Sequence, residues 1–207
     1  MKTLRATQKA IWDRKEQPLF QPDRYFLSLV KTIENLGTLF PAFGWIYTKL
    51  FYQSMLEKEI VLSGIVPGMK VIHIGCGPLP MTAVHLAEFG AQVTAVDMQD
   101  SILKQAAQFI NRRQLCDRIN LLKGCGTSFD FSGYDAIWFS LHVNPITKVI
   151  QRACRSMDTD ARIIFRAPRG KLSWFYTSID KQFLPPTVSL KTIRQPLGKM
   201  SIMLKKA

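Results

Sequence analysis

Val71-Ile72-His73-Ile74-Gly75-Cys76-Gly77 is a short apolar run that breaks into a glycine turn, and its reading decides the fold. The run is bounded by Pro67-Gly68 before and Gly75 after, which predicts a strand buried on both faces. Glycines at 75 and 77 let the backbone turn sharply and approach a ligand closely, where any Cβ would collide. Downstream, helix and strand patterns alternate. Residues 81–89 read as a helix stopped by Gly90, 92–96 as a strand, and 101–113 as a helix with Asp100 as its N-cap. Residues 119–122, 136–141 and 161–165 read as further strands, with a helix over 146–156. Strict alternation predicts a Rossmann-like α/β fold, a mostly parallel sheet with helices on both faces. Residues 188–195 and 200–204, joined by Pro196-Leu197-Gly198-Lys199, read as a C-terminal antiparallel hairpin.

Upstream of the glycine turn, residues 4–16, 24–35 and 46–62 have helical character, with Ile46, Leu50, Phe51, Met55 and Ile60 at spacings of three and four. Ser63-Gly64 ends that pattern. Two units are expected, a helical cap over residues 1–65 and a Rossmann-like domain over 66–207.

At 207 residues, 47% hydrophobic and 21% charged, the chain suits one generous globular domain, which excludes collagen-like, disordered and disulfide-scaffold classes. Its net charge of +13 is uneven: +4 over residues 1–70, zero over 71–150 and +9 over 151–207. A basic tail steers anionic partners, so an anionic small molecule is an expected acceptor and nucleic acid a less favoured one. Cys76, Cys116, Cys125 and Cys154 form neither C-x-x-C nor a pair with nearby histidines, so no metal and a reducing cytoplasm are expected. The N-terminus lacks the apolar core of a signal peptide. Residues 36–51 contain Pro41, Gly44 and Lys49 and are too short to span a bilayer, so no membrane span is expected.

Twenty residues after Gly77, at the end of the next strand, stands Asp97 in Ala95-Val96-Asp97-Met98. A carboxylate there accepts hydrogen bonds from the hydroxyls of an adenosine ribose. A dinucleotide site wants a third small residue and free amides facing a pyrophosphate. Pro78-Leu79-Pro80 stands there instead, and two prolines remove two donors. The pattern specifies an adenosine-containing cofactor; S-adenosylmethionine has no phosphate, so the loss is harmless to it, and a nicotinamide oxidoreductase is a distant reading.

On these residues, with the lead-in from Gly64 to Val71, Tyr134-Asp135 opening the fourth strand and the terminal hairpin, the chain from about Leu62 onward resembles the class I S-adenosylmethionine-dependent methyltransferases. The resemblance implies a seven-stranded sheet. It places Gly75 and Gly77 against the methionine part, Asp97 on the ribose and Met98 beside the adenine, with Cys76, Pro78 and Leu79 as further cofactor-binding residues of the loop. Gly124 and Cys125 would stand at the adenine edge, and Ser140 at the strand end where acceptor and cofactor meet. His73 and Cys125 occupy positions where that superfamily usually has acids. More narrowly, Gly75-Cys76-Gly77-Pro78-Leu79-Pro80 resembles the loop of nicotianamine synthase and related opine-metallophore enzymes, and Arg166-Ala167-Pro168-Arg169-Gly170 is similar to their Arg-x-x-x-Gly segment. Those enzymes transfer the 3-amino-3-carboxypropyl arm of the cofactor to an amine.

Methyl transfer needs in-line positioning and sometimes a base. His142, just past the fourth strand and near neutral in intrinsic pKa, is the candidate base. His73 reads as a neutral core histidine, and Cys76 as a small residue filling the loop. Arg166 and Tyr176 are candidate substrate-binding residues, and Trp45, Tyr47 and Phe51 candidate pocket walls. The expected function is an S-adenosylmethionine-dependent transferase, a methyltransferase acting on a small molecule. The alternatives are aminocarboxypropyl transfer and a non-catalytic cofactor- or RNA-binding protein.

Overall fold

A computed structural model of the chain describes residues 52–168, 188–195 and 199–206. The expected helices before residue 52, Tyr176 and the wall residues Trp45, Tyr47 and Phe51 lie outside the described residues. In chain order the elements are α1 (Gln53–Ser63), β1 (Lys70–Ile74), α2 (Met81–Phe89), β2 (Gln92–Asp97), α3 (Asp100–Arg112), β3 (Ile119–Lys123), β4 (Ala136–Phe139), α4 (Ile146–Ser156), β5 (Arg162–Pro168), β6 (Val188–Gln195) and β7 (Lys199–Lys206).

The strands form one seven-stranded sheet in the order β3-β2-β1-β4-β5-β7-β6. β1 to β5 pair in parallel, and β7 runs antiparallel between β5 and β6. This is the expected Rossmann-like architecture. Strand order reverses between β1 and β4, so their carboxyl ends open the crevice in which such sheets bind ligands.

The sequence accounts for both faces of the sheet. In β1, Val71 points to a core shared with Ala83, Leu86, Trp138 and Ile164, while Ile72 and Ile74 point to one shared with Ile137, Phe139, Ile150 and Phe165. A strand covered on both sides needs apolar residues at every position, as Ala136-Ile137-Trp138-Phe139 also shows. The edge strand β6 instead exposes Ser189, Lys191, Thr192 and Arg194, which discourages edge-to-edge pairing.

Two local expectations are corrected. Asp100 is the first residue of α3 and Gln99 its N-cap, since an acid suits the first turn of a helix as well as the cap, and the Asp100 carboxylate pairs with Lys123 Nζ on β3 at 2.5 Å. β4 stops at Phe139 rather than at residue 141. The Ser140 amide donates to the Ile74 carbonyl at 3.1 Å, and the Ser140 carbonyl then accepts from Val143 at 3.2 Å, turning the chain out of the sheet.

Candidate active site

The loop after β1 is built for close approach. Gly75 and Gly77 have φ of +74° and +69°, where side chains are strained. The amides of Gly75 and Cys76 both donate to the Val96 carbonyl, at 2.9 and 3.1 Å, pinning the loop to the end of β2. A Cβ on Gly75 would lie 2.8 Å from Val143 Cγ2, whereas one on Gly77 would meet nothing within 4 Å. Space thus opens in front of Gly77.

Asp97 stands beside that glycine. Its Oδ2 accepts from the Gly77 amide at 3.2 Å and its Oδ1 from the Gln99 amide at 3.2 Å. Each oxygen retains lone pairs for a further donor. Met98 is 58% exposed beside it, a large apolar side chain left uncovered at the rim. The Gly124 amide donates to the Asp97 carbonyl at 3.0 Å, which brings the 124–126 loop to the same rim. Cys125 is half-buried there. Hydrogen bonding from Thr127, side chain first and backbone second, holds its thiol below the usual pKa.

Other expected residues stand elsewhere. Cys76 and Leu79 send their side chains into the core, so what they offer a ligand is backbone. Burial, with the Asp97 charge added, pushes the Cys76 thiol up to about 12, which suits the loop-filling reading. His73 is a buried histidine, held down to about 3 by burial and then by the Arg166 charge. His142 lies in the exposed loop after β4. Partial desolvation, then the Lys199 ammonium, lower its pKa.

Arg166 is corrected most. Expected to reach an acceptor, it is buried, with Nε and Nη2 donating to Glu59 at 2.8 and 2.7 Å and further bonds to Thr82 at 3.3 Å. Glu59 also accepts from Trp138 Nε1 at 3.1 Å and from Ser201 Oγ. Burial alone would raise the Glu59 pKa, but the Arg166 charge and the bonds from Arg166, Ser201 and Trp138 outweigh it and hold the carboxyl below its ordinary value. The arginine therefore ties α1 to the sheet. The sequence carries one signal for this. Glu59 falls on the buried stripe of α1 with Met55, Leu56 and Ser63, where a lone charge demands a partner.

Among the described residues no group of His, Cys, Asp and Glu could hold a metal ion, and no helix is long and apolar enough to cross a membrane.

A doubly wound sheet with a glycine turn and a facing acid at its switch point defines a nucleoside-cofactor domain. Residues 71–160 match the family described as a methyltransferase domain. Sterol 24-C-methyltransferase of Yarrowia lipolytica is 29% identical over 128 residues, covering 55% of this chain and 33% of that protein. Sterol 24-C-methyltransferase ERG6B of Gibberella zeae is 27% identical over 128 residues, with the same coverage of 55% and 33%. The chain spans about a third of the length of these two curated relatives. Among solved structures, MtNAS in complex with S-adenosylmethionine superposes with a TM-score of 0.78 at 20% identity, over 89% of this chain and 76% of that one. At that identity the likeness is one of fold.

Proposed function

We propose that this protein is an S-adenosylmethionine-dependent methyltransferase acting on a small molecule. The observation that carries the reading is the Asp97 carboxylate at the end of β2, fixed by the Gly77 and Gln99 amides beside the glycine turn. The residues fit the cofactor. Asp97 would take the ribose hydroxyls, Met98 and Cys125 would flank the adenine, and the Gly75–Pro80 loop with Gly124 and Ser140 would frame the methionine arm. The loop prolines remove amides that only a phosphate would need. When bound, the cofactor supplies a methyl group activated by its sulfonium. The chain supplies position: the crevice between the ends of β1 and β4 fixes the direction from which a nucleophile arrives. His142, whose pKa is lowered by desolvation and then by Lys199, would be the residue to take a proton from an acceptor.

The acceptor is a small molecule of anionic character, in keeping with the +9 of residues 151–207. We place the protein in the cytoplasm, on its free cysteines.

A second reading, aminocarboxypropyl transfer, is favoured by the Gly75–Pro80 loop and by the fold likeness to MtNAS, which was also solved in complex with MTA and tNA. Calorimetry with S-adenosylhomocysteine tests the cofactor, and absence of binding removes both readings. Incubation with labelled S-adenosylmethionine and a metabolite extract separates them by mass spectrometry. Methyl transfer leaves S-adenosylhomocysteine, and transfer of the other arm leaves methylthioadenosine.

A further inference from the structure

His73 forms a pair with Ser140, and the reading above uses only the serine. His73 Nε2 lies 2.8 Å from Ser140 Oγ, bridging the ends of the neighbouring strands β1 and β4. The imidazole is 2% exposed, and its Nδ1 has no hydrogen-bond partner. An orphaned buried N–H is rarer than an orphaned acceptor lone pair, so the ring hydrogen belongs on Nε2 and the bare lone pair on Nδ1. Nε2–H then donates to Ser140 Oγ.

This assignment fixes what Ser140 can do. Its amide and carbonyl are committed to Ile74 and Val143. Its Oγ accepts from His73, so the hydroxyl hydrogen must point elsewhere, and no described residue accepts it. Ser140 is half-buried, and its Cβ lies 3.6 Å from where a Cβ on Gly75 would stand, at the seam of the crevice. No carboxylate orients Nδ1 and the ring stays neutral, so the pair is a hydrogen-bond relay and not a nucleophilic dyad.

We propose that His73 is a positioning residue that holds the Ser140 hydroxyl as a fixed donor to the carboxylate of the cofactor's methionine arm. The inference rests on the cofactor reading above. S-adenosylhomocysteine has that carboxylate and methylthioadenosine lacks it, so the two ligands separate this claim from the general one.

The test is a double-mutant cycle by calorimetry on the full chain, with Ser140→Ala, His73→Phe and both together, each against both ligands. Ser140→Ala and His73→Phe should each weaken S-adenosylhomocysteine about tenfold, as for a lost bond to a charged acceptor. The double variant should be no weaker than Ser140→Ala, and methylthioadenosine affinity should stay within about twofold throughout. His73→Gln, whose amide can donate to Oγ, should recover part of the loss. Urea midpoints report folding, and if His73→Phe does not fold, Ser140→Ala alone carries the ligand comparison. Equal losses for the two ligands, or additive losses in the double variant, overturn the proposal. If the wild type binds methylthioadenosine and S-adenosylhomocysteine equally well, the carboxylate contact is absent and the proposal falls while the nucleoside site stands. If it binds neither, both fall.

Discussion

At the switch point the chain works with backbone: two glycines at positive φ, amides turned onto Val96 and Asp97, and open space before Gly77. Beneath α1 it works with side chains: Glu59, Arg166, Trp138, Ser201 and Thr82 interlock in a buried polar knot. The two regions share β4, which carries Trp138 of the knot and ends at the crevice, yet their energetics differ. A backbone-built crevice keeps polar groups available for a ligand, whereas the knot uses its own polar groups against one another and holds α1 against the sheet. Losing a residue at the crevice should therefore show in binding, and losing one in the knot should show in folding.

The largest effect is expected in the knot. Glu59→Ala leaves the Arg166 guanidinium buried without its counterion, which costs about 3–5 kcal/mol. Against a typical domain stability of about 5–15 kcal/mol, that leaves the variant marginal. A urea denaturation curve with the wild-type midpoint would show that α1 is not anchored this way. Glu59→Gln should fall between, because the amide oxygen still accepts from the guanidinium. At the crevice, Asp97→Ala should weaken S-adenosylhomocysteine about tenfold to a hundredfold, given about 1.5–3 kcal/mol per bond to a charged group. Its urea midpoint should move far less than that of Glu59→Ala. A variant that loses stability and keeps affinity would reverse the contrast between the regions.

His73 sits between the two and is distinguished by pH. Its folded pKa, about 3, lies below the ordinary 6.5 because burial and Arg166 oppose the charged ring. The unfolded chain takes up a proton on this residue as pH falls below 6.5, and the folded chain does not until near 3. The stability the neutral ring contributes is thus complete above 6.5 and is lost on acidification through that window, by about 1.4 kcal/mol per pH unit. His73→Phe should have a shallower decline of unfolding free energy between pH 6 and 4.5, and a slope equal to the wild type's would place a charged imidazole in the folded protein. Glu59 adds a loss in the same direction, below its ordinary 4.5.

The difference between the regions also explains what could be read in advance. The parallel strands, the glycine turn and Asp97 were legible because each has a local signature: apolar runs, residues tolerating positive φ, and an acid at a fixed distance along the chain. Arg166 was legible as a charge at a strand end but not as a buried one, since its partner lies 107 positions away on a helix whose docking depends on tertiary packing. The start of α3 was misread by one residue because an acid suits both the cap and the first turn of a helix, so Asp100 alone does not distinguish them. His73 was legible as a core residue. Its bond to Ser140 was not, because it needs the β1–β4 pairing to be known.

The smallest expected effect sharpens the contrast within the loop itself. Gly77→Ala places a Cβ at φ +69°, a strained conformation costing about 1–2 kcal/mol, with no protein atom in its way. Gly75→Ala has similar strain at φ +74° and also a contact of 2.8 Å with Val143 Cγ2, so it should lose more stability. Their order should invert for ligand binding. The methyl on Gly77 stands in open space on the residue whose amide Asp97 holds, while the one on Gly75 is directed at Val143. Urea midpoints ranking Gly75→Ala below Gly77→Ala, with S-adenosylhomocysteine affinity per folded molecule ranking the other way, would locate the ligand in front of Gly77. If Gly77→Ala binds as the wild type does, that space is not where the cofactor lies, however well Asp97 is placed beside it.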